Sequence, residues 1–203
     1  MFDDAFVKLD FDAAAPVIEE INPALTGGAF DAARVTILRC SLSFYPGYDF
    51  LDIADYQTIP HFKKRAIYKP GNVHVLDWSP ETLRRLNETI PVQLDDANIT
   101  DYVRFYYGHV RGPDGRFKII ETIDDMPWAE DPPPAARKAV GKILSPLRLA
   151  GKERDLFRVE GAMMFRDALY GFAALVSPDG AMTITAQNLL LDSLPVADDT
   201  LDQ

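Results

Sequence analysis

Cysteine and histidine are the scarcest chemistry-bearing residues in this chain of 203 residues. Cys40 is the single cysteine, which excludes an internal disulfide and any metal site built from several cysteines. Its apolar surroundings, VTILRCSLSFY, favour an inert core thiol over a nucleophile. The three histidines are His61, His74 and His109, and no two of them have ligand spacing on one helix. We therefore predict no resident metal or cofactor.

Positive charge is also in short supply, because 21 Lys and Arg face 31 Asp and Glu, giving a net charge of −10. Such a surface repels phosphate backbones, so we predict no nucleic-acid partner. A locally basic run lies in the C-terminal third, and we interpret it as a solvated helix face and strand edges. The run consists of Arg137, Lys138, Lys142, Arg148, Lys152, Arg154 and Arg158.

Long apolar runs are missing as well, since none approaches the roughly 20 residues that span a membrane. The N-terminal MFDDAFVKLDFD is acidic where a secretory signal would be basic. We predict a cytoplasmic protein with no membrane partner. The length and the 47% hydrophobic content indicate a single domain over residues 1–203, with loosely ordered acidic ends at 1–15 and 195–203.

The fingerprints of common nucleotide-driven and hydrolytic enzymes do not occur. The chain has no GxGxxG before a helix, no GxxxxGK followed by Ser or Thr, no GxSxG and no HExxH. These absences favour a protein without enzymatic activity.

Strand and turn signals are present in two stretches. The run from Val35, VTILRCSLSF, predicts a strand, and 48–56 a second. Lys69-Pro70-Gly71-Asn72 predicts a tight turn that joins strands 64–68 and 73–78. Gly112-Pro113-Asp114-Gly115 predicts a second turn, and Arg166-Asp167 a third. Three strands joined by short turns are predicted in the last third, over Leu156–Phe165, Ala168–Val176 and Ala181–Ala186.

Three to four helices are predicted between and before these strands. They begin after Pro16, at Ser79-Pro80, at about Asp95 and at Pro134. Because helices and strands do not alternate, the sequence predicts an α+β fold with a curved antiparallel sheet, made of a hairpin and a C-terminal meander and packed by the helices. Cystatin-like and nuclear-transport-factor-2-like rolls share this organisation, as architecture only.

The helix predicted over Asp95–Arg111 contains the main candidate site. Its polar-tipped residues Arg104, Tyr107, His109 and Arg111 lie off the apolar stripe, which is formed by Ile99, Tyr102, Val103, Tyr106 and Val110. Arg104, Tyr107 and Arg111 have the spacing of one exposed stripe. They could clamp an anionic ligand or pair with surface carboxylates, and we favour the pairing.

His109 and Gly108 mark the end of this helix. His109 could act as a general acid or base near neutral pH, or bond to the terminal carbonyls as a structural residue, and we favour the structural role. Gly108 disfavours helix, so we predict that the helix ends at Tyr107. Trp128, in the proline-rich loop 124–134, is predicted to be partly exposed and is a further candidate for ligand binding.

An acid-aromatic string is the second candidate site. It comprises YPGYD at 45–49 with Asp52, Asp55 and Tyr56. Its carboxylates could perform acid–base chemistry or hold a hard cation. We favour a solvated strand edge.

The strings YPGYD (45–49), IADY (53–56), YKPG (68–71), VLDW (75–78), LNETIP (86–91) and DYVRFYY (101–107) resemble a family of uncharacterised bacterial proteins. The resemblance covers most of the chain from about residue 44. That family has no assigned activity, so the resemblance implies no catalytic residue or cofactor. It implies a bacterial cytoplasmic origin and one continuous domain.

Three hypotheses of function follow. The first is a non-enzymatic binding or accessory protein that grips a small ligand between sheet and helix or self-associates through the sheet. The alternative is a small hydrolase, isomerase or lyase with His109 as acid–base and Arg104 or Arg111 holding an anion. The third is an acidic adaptor that binds a basic partner, whose binding would weaken with salt.

Overall fold

A computed structural model describes residues 6–197 and confirms the predicted α+β class with antiparallel strands and four helices. Within that range the chain divides into two compact units, 6–77 with 89–93 and 78–88 with 94–197. Each unit has its own five-stranded sheet, and neither sheet is closed. The predicted hairpin belongs to the first sheet and the predicted meander to the second. That residues 1–203 form a single domain stays a prediction.

The sheet of the first unit has its strands in sequence order, each antiparallel to the next. The predicted turn is confirmed: Lys69 pairs with Asn72, and Gly71 has the positive φ of 78° that glycine tolerates. The final strand ends at Leu76, before Trp78. The strands are β1 (Val7–Lys8), β2 (Val35–Ser41), β3 (Asp49–Asp55), β4 (Phe62–Lys69) and β5 (Asn72–Leu76).

Helix α1 (Phe11–Ile21) begins earlier than the prediction after Pro16. The Asp10 side chain accepts a hydrogen bond of 2.9 Å from the Ala13 amide, and this cap starts the helix upstream of the proline. A 3-10 turn follows over Asn22–Ala24. The helix buries Ala14, Val17, Ile18 and Ile21 in a core shared with Phe30, Ile37, Leu51, Ile53 and Tyr68.

The sheet of the second unit has the order β10-β9-β8-β6, with β7 also paired to β8. Strands β8 and β9 have the predicted bounds, and β10 extends beyond the predicted end at Ala186. Strand β7 lies in the basic run and was not predicted, because glycine and charged residues obscure its pattern. The strands are β6 (Lys118–Ile120), β7 (Arg148–Glu153), β8 (Leu156–Phe165), β9 (Ala168–Val176) and β10 (Met182–Leu191).

The helices of this region are α2 (Pro80–Thr89), α3 (Ile99–His109) and α4 (Pro134–Ile143). The predicted start of α2 is confirmed, because the Ser79 hydroxyl accepts a hydrogen bond from the Glu81 amide at 3.2 Å. Val140 on α4 is fully buried beside Ile120 and Leu169. Within residues 6–197, no helix has the length and apolar character needed to cross a membrane.

Helix α3 does not end at Tyr107, as predicted, but continues through Gly108 to His109. A Cβ at Gly108 would contact nothing within 4 Å, so no neighbouring segment comes close enough to require a glycine at this position.

The N-terminal segment 1–15, which we predicted to be loosely ordered, contains regular secondary structure in its described part. Residues 6–15 include β1 and the first turn of α1, and β1 pairs with β2. The rest of the N-terminal segment and residues 198–203 lie outside the described range.

Candidate functional site

The Arg104 guanidinium is engaged by two carboxylates within the second unit. Its Nε and a terminal nitrogen donate to the two Glu121 oxygens at 2.7 and 2.8 Å, and its other terminal nitrogen donates to Asp101 at 2.7 Å. Hydrogen bonding to Glu121 raises the pKa of Arg104 above its usual value. Arg104 therefore pairs with carboxylates, as the favoured interpretation had it. Its Nε and both terminal nitrogens already donate to Glu121 and Asp101.

Tyr107 is buried, contrary to the predicted exposed stripe. Its ring makes edge contacts with Phe117 and Phe172, at centroid distances of 6.3 and 5.9 Å. Burial raises the pKa of its hydroxyl above the ordinary value of 10.0. The prediction of exposure was wrong because aromatic residues enclose α3 on more than its apolar stripe.

His109 is also buried, at 8% exposure, and lies between two rings. The Phe105 ring centroid is 4.5 Å away, and the Trp78 ring stacks at 6.5 Å with an interplanar angle of 23°. His109 Nδ1 lies 2.7 Å from the Phe105 carbonyl oxygen, which can only accept, so this nitrogen has the proton. This is the predicted structural role, a helix-end histidine bonded to a carbonyl of its own helix.

Arg111 packs on the ring of Trp78, the residue that stacks on His109. Its guanidinium carbon lies 5.5 Å from the Trp78 ring centroid, and that of Arg116 lies 5.7 Å away. The Arg111 amide donates to the Trp78 carbonyl at 2.8 Å, although Trp78 has a positive φ of 68°. Arg111 thus anchors the chain after α3 to the segment before α2.

Trp128 is partly buried, and its indole Nε1 donates to the Ile123 carbonyl at 3.2 Å. It packs against the core formed by Ile120, Met126 and Val140, and its backbone bridges to Val196. The indole nitrogen is therefore already committed within the loop.

An open concave surface of the second unit lies beside these residues and contains none of them. It is a groove of about 340 Å³, close to the lower limit of small-ligand sites. Its lining consists of Gly112, Pro113, Asp114, Gly115, Phe117, Phe165 and Arg166. We refer to this surface as the two-turn groove.

Two turns and one strand pairing build the two-turn groove. Gly112 and Gly115 exchange backbone hydrogen bonds of 2.8 and 3.2 Å, which confirms the predicted turn. Lys118 on β6 lies opposite Met164 on β8, so the next residues outward, Phe117 and Phe165, meet with ring centroids 5.0 Å apart. The wall of the groove is therefore a pair of aromatic rings.

Arg166 provides the positive charge of the groove. It is exposed, has a positive φ of 54°, and places its guanidinium carbon 5.2 Å from the Phe165 ring centroid. Among residues 6–197, no carboxylate lies within ion-pairing distance of it. The positive φ belongs to the two-residue turn Arg166-Asp167 between β8 and β9, since such hairpin turns need a positive φ at their first central position.

Local signals could have located part of this groove. Both turns were predicted, at 112–115 and at Arg166-Asp167. What no sequence pattern showed is that β6 pairs with β8, which brings Phe117 to Phe165. The Tyr107 ring makes an edge contact with Phe117, and Arg111 immediately precedes the first lining residue, so two predicted site residues adjoin the groove.

The three carboxylates of the acid-aromatic string lie in the first unit on β3, which is the central strand of its sheet, so the predicted strand edge was wrong for them. Asp55 is buried and accepts from the Gln57 amide at 2.8 Å, while Asp52 pairs with Arg65 at 3.5 Å. Asp49 accepts from the Ser41 hydroxyl at 2.8 Å. Within the described part of the chain, no three His, Cys, Asp or Glu residues are grouped to hold a metal ion.

Comparison with known proteins gave no match among family models, curated proteins or solved structures. The resemblance to uncharacterised bacterial proteins stays a prediction, and the residues above are the basis for the function proposed next.

Proposed function

We propose that this protein binds a small organic anion in the two-turn groove and acts by binding, without catalysis. The observation that carries the proposal is Arg166, a cation with no carboxylate partner among the described residues, on the wall of an aromatic groove. A guanidinium in that position can receive a carboxylate or phosphate through two parallel hydrogen bonds.

The rest of the lining narrows the ligand further. The rings of Phe117 and Phe165 offer apolar surface to a flat ring or a short chain. Asp114 also lines the groove, and its negative charge disfavours a ligand with several negative groups. We therefore propose a compact monoanion with a planar apolar body.

The buried environment of His109 gives the enzymatic alternative less support. A general acid or base must reach the proton that it transfers, whereas His109 is enclosed by Phe105 and Trp78 and bonded to a carbonyl of its own helix. Arg104 is held by Glu121 and Asp101.

Three matched probes test the proposal: benzoate, its neutral isostere benzamide, and acetate, which has the charge but no ring. Binding is measured by titration of amide chemical shifts in residues 112–117 and 165–167. We expect benzoate to bind roughly tenfold more tightly than benzamide, equivalent to about 1.4 kcal/mol, and acetate not to bind measurably.

A second arginine of the chain provides the matched control. Arg154 also has a positive φ, of 59°, is exposed, and precedes an aspartate in a two-residue turn next to β8, but it does not line the groove. Arg166→Gln should abolish benzoate binding, whereas Arg154→Gln should leave it unchanged. Equal effects of the two substitutions, or shifts confined to residues far from the groove, would contradict the proposal.

A further inference from the structure

The outer edge of β10 is the one long strand edge in the second sheet with no electrostatic protection. β10 pairs with β9 on one side, and among residues 6–197 no strand pairs with its other side. Its ten residues, MTITAQNLLL, include no charged side chain in a chain with 26% charged residues. Natural proteins usually guard such an edge with charges, prolines or short length.

The other strands at the sheet margins follow that rule. β7, which pairs only with β8, has Arg148, Lys152 and Glu153 among its six residues. β1, at the margin of the first sheet, is only two residues long. β5, at the other margin of the first sheet, also has no Asp, Glu, Lys or Arg, but it has five residues against the ten of β10, so β10 is the longest uncharged margin among the described strands.

The side chains of β10 are exposed on both faces as well as at the edge. Every residue from 183 to 190 is exposed, with Leu189 at 55%. Two bulges, at Thr185 and Leu190, interrupt its pairing with β9 and leave a regular stretch of four residues, 186–189. The open hydrogen-bonding groups of such an edge are complementary to another extended strand.

We infer that the occupant of this edge is β10 of a second copy, in an antiparallel pairing about a two-fold axis near Gln187 or Asn188. Large apolar residues lie toward both ends of the strand, Met182 and Ile184 at one end and Leu189–Leu191 at the other, with Gln187 and Asn188 near its centre. A two-fold axis through the centre pairs the start of β10 in one copy with the end of β10 in the other, so apolar residues meet apolar residues. It also places the Gln187 and Asn188 side-chain amides of the two copies next to each other.

Charge favours this occupant over a basic partner protein. Two chains of net charge −10 repel each other, and an uncharged strand adds nothing to that repulsion where the two copies meet. A basic partner would instead need carboxylates, which β10 lacks. Because the regular stretch is short, the dimer is weak and forms with increasing protein concentration.

Sedimentation velocity over a concentration series tests this inference on the full chain. We expect the average mass of the wild-type protein to rise from one chain toward two. Gln187→Lys places like charges next to each other at the axis and should keep the protein a single chain. Ala150→Lys on the already charged strand β7 is the control and should leave the association unchanged, with thermal melts confirming that both variants fold.

A charge-swap experiment distinguishes the two-fold pairing from general stickiness. Gln187→Glu alone should also remain a single chain, but an equimolar mixture of the lysine and glutamate variants should associate at least as well as the wild type. A wild-type protein that stays a single chain throughout the series overturns the inference. Undiminished association of both single variants would do so equally.

Discussion

Helix α3 and the two-turn groove are both rich in arginine and aromatic residues, but they differ in what their polar groups contact. On α3, Arg104 is held by Glu121 and Asp101, and His109 is bonded to Phe105. In the groove, Arg166 has a ring beneath it and no carboxylate partner among the described residues. The difference teaches that a dense cluster of polar side chains along a sequence can serve stability, and that the residue we propose as a binding group, Arg166, lies outside that cluster. Substitutions on α3 should therefore change stability alone, and substitutions in the groove should change ligand affinity.

The largest expected effect concerns Tyr102, the most enclosed polar group of α3. Its hydroxyl donates to the Gly180 carbonyl at 2.8 Å and accepts from the Asn87 amide at 2.9 Å, and burial raises its pKa. A Cβ on Gly180 would overlap this hydroxyl, and Gly180 has a positive φ of 81°. We expect Gly180→Ala to reduce the free energy of unfolding by about 3 kcal/mol or more in urea denaturation.

Gly71→Ala is the control for that experiment. Gly71 has a similar φ of 78°, but a Cβ there would contact nothing within 4 Å. Only the backbone strain should remain, with a loss of about 1 kcal/mol. If the two variants lose equal stability, the enclosure of Tyr102 is not as tight as its contacts indicate.

His109→Ala comes next in expected size. Removal of a ring packed between Phe105 and Trp78 leaves a cavity, and we expect a loss of about 2 to 3 kcal/mol in unfolding free energy. Benzoate affinity should not change. His61→Ala removes an exposed imidazole and should lie within about 0.5 kcal/mol of the wild type. A stable His109→Ala protein with altered affinity would instead support the enzymatic alternative.

The sequence predicted those features that depend on neighbouring residues. The Lys69–Asn72 turn, the Ser79-Pro80 helix start and the β8–β9 hairpin all follow from local chemistry, and all are confirmed. The burial of Tyr107 and His109 was not predicted, because a single amphipathic stripe cannot show that rings enclose the helix from several sides. The groove was missed for a similar reason: it requires the pairing of β6 with β8, two strands distant in the chain.

A double-mutant cycle on Arg104 and Glu121 measures how much their ion pair contributes to the free energy of unfolding. Their side chains are only 21% and 24% exposed, so screening by solvent is limited. We expect a coupling of about 1 to 2 kcal/mol between Arg104→Met and Glu121→Gln. The pair Arg84 and Glu88, with side chains 57% and 60% exposed, should give no measurable coupling, because solvent screens both charges. Similar couplings for the two pairs would weaken the contrast with Arg166.

The smallest expected effect concerns Arg154 and Arg166, the two arginines in the turns beside β8. Arg154 and Arg166 both have positive φ, which costs a non-glycine residue free energy that glycine avoids. We expect Arg154→Gly to increase the free energy of unfolding by about 0.5 to 1 kcal/mol. Arg166→Gly should gain less, because it also loses the contact with Phe165. Both gains are measured by thermal and urea unfolding, and benzoate affinity is measured in parallel. If Arg166→Gly gains stability and loses the ligand while Arg154→Gly only gains stability, the strain at Arg166 is retained for binding. If neither affinity changes, the lack of a charged partner at Arg166 has no functional meaning, and the groove loses its main support.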